Sequence, residues 1–112
     1  MPDQSSKKDL VRLADIRTPP LTPESRRDAG YYLNLLQEGF SISMPISRPM
    51  PSVGARVHEL RLSDRSGDWR VVYRIDATEI VVVAVFKKTT PQTPARIINL
   101  CRQRLGDFDK LT

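Results

Sequence analysis

This 112-residue chain has one cysteine, Cys101, and one histidine, His58. A lone cysteine excludes an intramolecular disulfide framework, and so few Cys and His exclude a zinc centre built from them. The longest uninterrupted apolar run is Ile80 to Phe86, seven residues. A membrane-spanning helix needs about 20. The opening MPDQSSKKDL holds no apolar stretch of the secretory type. There is no glycine-rich phosphate loop, no G-x-S-x-G elbow and no cluster of metal ligands. The expectation is a soluble cytoplasmic protein with no metal, no cofactor and no membrane partner.

What is present is one core's worth of apolar residues and an excess of positive charge. Hydrophobic residues make up 39% of the chain, enough for a single domain of this length. Eighteen Lys and Arg oppose thirteen Asp and Glu, giving +5. Thirteen of those cations are arginine. The guanidinium fork binds phosphate oxygens in pairs, which a lysine ammonium cannot do. A small arginine-rich domain points to a polyanionic partner, although a basic solvated surface would give the same totals.

Residues 1–9 are polar and are expected to fray. Leu10 to Ile16 reads equally as a short strand or a helical turn, and Thr18-Pro19-Pro20 ends it. Residues 1–21 thus form an N-terminal extension, and 22–112 a single domain. Thr22-Pro23-Glu24 is a helix start: a hydroxyl cap, a proline at the first position and an acid on the dipole. Ala29, Tyr32, Leu33 and Leu36 then mark one face of a helix over 23–38, with Gly39 as its terminator. Residues 41–54 read as a proline-rich loop.

Three strands follow. Arg56–Leu62 puts Leu60 and Leu62 on one face and Glu59 and Arg61 on the other. Trp69–Ile75 separates Trp69, Val71, Tyr73 and Ile75 from Arg70, Val72 and Arg74. Ile80–Phe86 is apolar on both faces, as a central strand requires. Short turns make these an antiparallel meander. A last helix opens at Thr93-Pro94, buries Ile97, Ile98, Cys101 and Leu105, and is expected to stop at Gly106.

The chemistry lies in cations on one sheet. Arg70 and Arg74 share a face, Arg61 sits on the neighbouring strand, and Lys87 and Lys88 leave the last strand. Arg48 and Arg56 can rim the patch. Such groups stabilise the extra charge of a phosphodiester transition state. His58 titrates in the range of an acid or base, but alternation places it with Leu60 and Leu62. The competing explanation is cross-strand salt pairing of the arginines with Glu59, Asp64 and Asp68 on an exposed face. Trp69 and Tyr73 read as core, and Cys101 as inert helix packing.

Gly30 to Leu105 resembles the phage-derived branch of the RelE/HigB toxins of type II toxin–antitoxin systems. The residues that carry it are SRPMPSVG (47–54), HELRL (58–62), WRVVYRID (69–76), VFKKTTPQTP (85–94) and CRQRL (101–105). The resemblance implies an α+β, RelE-like fold: an N-terminal helix, a twisted antiparallel meander and a C-terminal helix. It implies cleavage of messenger RNA on the ribosome and a cognate antitoxin, often a helix-turn-helix protein. Arg70 matches the arginine that contacts the scissile phosphate. Arg61 and Lys87 or Lys88 match further catalytic cations, and Arg48, Arg56, His58 and Arg74 would bind RNA around them. Ser63 stands where some relatives carry a lysine. Asp107-Phe108-Asp109 lacks the tyrosine or histidine that others place there. The wider group also contains ParE-type toxins that inhibit gyrase, and an inactive RNA-binding module would share the basic patch.

Overall fold

The polypeptide turns into its first helix at Thr22, whose hydroxyl accepts the Ser25 amide at 3.2 Å. Pro23 needs no hydrogen bond at that position, and Glu24 meets the positive end of the dipole. Helix α1 runs Pro23–Gln37 and buries Ser25, Ala29, Leu33 and Leu36. Gly39, at φ +96°, ends it. A left-handed residue there lets the Gly39 and Phe40 amides fold back onto the Leu36 and Leu35 carbonyls, both at 3.0 Å.

This structure is a computed structural model, and it describes residues 7–111. Its order is β1 (Asp9–Arg12), α1, β2 (Ser47–Pro49), β3 (Val57–Asp64), β4 (Gly67–Ile75), β5 (Glu79–Lys88) and α2 (Ala95–Leu111). The five strands form one sheet in the order β1-β5-β4-β3-β2. Only β1 runs parallel to its neighbour, β5; the other pairs are antiparallel. The fold is α+β with a RelE-like arrangement of helix, sheet and helix.

Strand alternation sorts the core into two halves. On one face α1 covers Leu60, Leu62, Trp69, Val71, Tyr73, Ile80 and Val82. On the other, Ile97, Cys101 and Leu105 of α2 cover Val57, Val72, Val81, Val83 and Ala84. Strand β5 is buried on both sides, which its continuous apolar run requires. Burial pushes the Cys101 thiol up to about 11, so it stays a neutral packing group.

Three expectations need correction, and one open reading is settled. Residues 1–6 of the segment expected to fray lie outside the described residues. The remainder is tied down, with the Lys8 amide on the Gln37 carbonyl at 2.8 Å and Asp9 opening β1. The ambiguous stretch after it begins as a strand. The proline-rich loop contains β2, whose three residues pair with His58, Glu59 and Leu60. Helix α2 passes through Gly106 and continues to Leu111. Its last turn is held from outside, by the pair between Asp109 and Arg74, and this outweighs the roughly 1 kcal/mol helix penalty of glycine.

One carboxylate joins α1 to the β3–β4 turn. Asp64 accepts from the Ser25 hydroxyl, from Ser66 Oγ and N (2.5 and 2.7 Å) and from Thr22 Oγ1 (2.7 Å). The Ser25 bond first, then those from Ser66 and Thr22, hold the Asp64 carboxyl far below the usual carboxylate range. A depressed native pKa adds stability that is fully present above the unfolded value, near 3.8, and disappears as pH falls towards the native one. Thermal melts of wild type and Asp64→Asn should therefore differ by a constant amount from pH 7 to about pH 4 and converge below it.

Candidate functional site

The face under α2 carries every second residue of β3 and β4. Arg61 and Arg70 stand directly opposite each other in the register, with Phe86 of β5 next in the row. The next row holds Arg48, Glu59, Val72 and Ala84. On the other side of the arginines lie Ser63, Asp68 and Lys88. Helix α2 covers the far end of this face and leaves this end open. The opening is a cleft of about 330 Å³ lined by Arg48, Glu59, Lys88 and residues of the 49–52 and 91–93 segments.

Like charges opposite each other in a sheet are destabilising. The cross-strand partner of Arg61 is an arginine, so the salt-pairing explanation of this face does not hold at Arg61. Among the described residues no side chain pairs with the Arg61 guanidinium. Arg70 is only 6% exposed. Its Nη1 donates to the Trp69 carbonyl at 3.0 Å, and its Nε lies 4.0 Å from Glu59 Oε1. Glu59 is itself 5% exposed. Arg70 Nε and Glu59 Oε2 are buried without a hydrogen-bond partner among the described residues. Buried polar atoms left unpaired are uncommon in folded proteins, and each calls for a physical explanation.

A bulge decides which lysine joins this cleft. Strand β4 steps from Val72 to Tyr73 while β5 steps from Ala84 to Val82, leaving Val83 as the extra residue. Arg104 Nη1 donates to the Val83 carbonyl at 2.7 Å and holds the bulge. Beyond it the even-numbered residues Ala84, Phe86 and Lys88 face α2. Lys87 falls on the α1 face, opposite Trp69 and against Gly67. The backbone explains the glycine there: Gly67 has φ +135°, a conformation that L side chains rarely adopt.

The remaining sequence candidates lie elsewhere. His58 stacks on Tyr73, with ring centroids 5.5 Å apart, on the α1 face. Burial lowers its pKa below the ordinary value. Arg56, at the start of β3, donates to the Ile75 carbonyl at 3.1 Å and lies 3.5 Å from Asp76. Arg74 is 8% exposed and fully engaged. Its Nε and Nη2 bond Asp76 at 2.7 and 2.9 Å, and its Nη1 and Nη2 bond Asp109 at 3.0 and 2.7 Å. These carboxylates raise its already high pKa, Asp109 first. Of the eight candidates, seven cations and one histidine, Arg48 and Lys88 line the cleft, and Arg61 and Arg70 occupy the sheet row between theirs on the same face. Lys87 and His58 face the other way, and Arg56 and Arg74 form a separate cluster.

Residues 19–106 match the family described as "Phage derived protein Gp49-like (DUF891)". The chain belongs to this Gp49-like family. Among curated proteins, nothing matches it. Gp49-like domains fall within the RelE/ParE-like toxin group. No described helix is long and apolar enough to cross a membrane.

In this Gp49-like domain Arg74 serves the fold, by pinning the end of α2 to the sheet. Arg74→Ala should lower stability by about 1–2 kcal/mol, because it removes a buried guanidinium from a charge network whose Asp109 side is open to solvent. A urea titration checks this, and any activity should survive per folded molecule. Glu59 is the residue the sequence reading passed over. Its signal was its parity: it shares a face with Arg61, two residues away.

Proposed function

We propose that this Gp49-like protein is the toxin of a type II toxin–antitoxin pair and an endoribonuclease that cuts messenger RNA on the ribosome. The observation that carries this reading is the Arg61–Arg70 pair, two arginines directly opposite each other in the register, with the Glu59 carboxylate 4.0 Å from Arg70 Nε. A phosphodiester placed over that pair would relieve the repulsion. The ribose 2′-hydroxyl attacks the adjacent phosphorus and gives its proton to water, the P–O5′ bond breaks, O5′ takes a proton from water, and a 2′,3′-cyclic phosphate and a 5′-hydroxyl result. Charge grows on the non-bridging oxygens as the fifth bond forms, and fixed donors stabilise it there. Arg48 and Lys88 flank the pair and would hold neighbouring phosphates. A cognate antitoxin, of helix-turn-helix type by resemblance, would neutralise the toxin.

Induced expression without an antitoxin tests the reading. Pulse labelling should show protein synthesis halting while DNA synthesis continues at first. The reverse order would remove the nuclease reading and favour inhibition of gyrase. Continued growth with intact messenger RNA would leave only an RNA-binding module.

A further inference from the structure

In the position it holds, Arg70 is poorly placed to receive a phosphate. A guanidinium offers a phosphate one of two forked edges, Nη1 with Nη2 or Nε with Nη2. Here Nη1 donates to the Trp69 carbonyl at 3.0 Å, and Nε is closed off from solvent with no hydrogen-bond partner among the described residues. Each edge thus has one member engaged or closed in. The whole residue is 6% exposed, whereas Arg61 across the strands is partly open.

One carboxylate accounts for this position. Among the described residues only Glu59 comes within 4.0 Å of the Arg70 guanidinium, with Oε1 at that distance from Nε. The separation allows charge attraction but is too long for a hydrogen bond. Glu59 Oε2 is also closed off and has no partner among the described residues. A buried ion pair is well held only when hydrogen bonds satisfy its remaining groups. This pair is held by charge alone, so an anion that bonds the guanidinium better can displace Glu59.

A phosphodiester is such an anion. Its oxygens take the guanidinium fork in two parallel hydrogen bonds, and Arg61 stands directly opposite Arg70 as a second cation. Resting on the reading that this face handles RNA, we propose that Glu59 is a gate: in the free protein its carboxylate holds Arg70 inward, and an RNA phosphate displaces it before Arg70 binds. Arg61, which has no carboxylate partner among the described residues, meets the phosphate first. The observed affinity is then the intrinsic one reduced by the fraction of molecules in which Arg70 is released.

Binding of a 2′-O-methyl oligoribonucleotide, which has no 2′-hydroxyl to attack, tests the gate without cleavage. Glu59→Gln keeps the side-chain volume and removes the charge, and should bind about tenfold more tightly per folded molecule. Its log affinity should fall with log salt more steeply by about 0.7, the increment of one further phosphate contact. Asp68→Asn removes the same charge from an exposed position beyond the arginines and should change affinity by less than about threefold. Adding Arg70→Met to Glu59→Gln should abolish the gain. No gain in Glu59→Gln, a gain matched by Asp68→Asn, or a gain that survives Arg70→Met would each overturn the gate. The wild type gives a second readout by nitrogen-15 NMR: the Arg70 Nε–H signal should shift on saturation with the oligonucleotide, and an unmoved signal would also overturn it. A gate in a protein that leaves ribosome-bound messenger RNA intact would keep this assignment and remove the nuclease. Cleavage by the wild type with no gain in Glu59→Gln would keep the nuclease and remove the gate.

Discussion

Arg61→Ala should cut ribosome-bound messenger RNA about a hundredfold to a thousandfold more slowly than the wild type while melting at nearly the same temperature. The two halves of this result have separate causes. Arg61 makes no ion pair among the described residues and is only partly buried, outside both core clusters, so its removal opens no core cavity. Changes of that kind usually alter stability by less than about 0.5 kcal/mol. Loss of Arg61 should also relieve its repulsion with Arg70 across the strands. In the transition state the sign reverses: a fixed donor is missing where charge accumulates, a loss of about 2.7–4 kcal/mol. Arg61→Lys should recover part of the rate, since an ammonium restores the charge but not the fork. Single-turnover cleavage beside thermal melts measures both halves.

Arg70→Ala should behave differently. The sequence places Arg70 on the polar face of its strand, where truncation would be harmless to the fold. The structure corrects this, because Arg70 and Glu59 are both buried. Removing the cation strands a carboxylate, which costs about 3–5 kcal/mol, a large share of the roughly 5–15 kcal/mol that holds a small domain. Arg70→Ala should therefore lose both activity and much of its stability. The double variant Arg70→Met with Glu59→Gln removes both charges and approximately keeps the volume, so it should regain most of the stability and none of the cleavage. If the double variant cuts RNA at the wild-type rate, Arg70 serves the fold alone.

The contrast between these two arginines shows where sequence reading stops. Alternation sorted β3 and β4 correctly, because a period of two places Arg61, Arg70 and Glu59 on one face whatever the tertiary context. Helix α1 was equally legible, since its cap, proline and terminating Gly39 act locally. Arg70's burial depends on β5 and on the path into α2, which no local pattern encodes. The choice between Lys87 and Lys88 depended on the bulge at Val83, held by Arg104 from another element. The engagement of Arg74 by Asp109, 35 residues further on, has no local signal either. Gly106 failed as a stop for the same reason, because the pair that holds the last turn of α2 lies outside the helix.

The most direct measurement is primer extension on messenger RNA recovered from a reconstituted translation reaction given the purified protein. The account predicts new 5′ ends within the ribosome-covered codons for the wild type and their loss for Arg61→Ala at equal folded concentration. Messenger RNA that stays intact with wild type, or identical ends from both proteins, would contradict it.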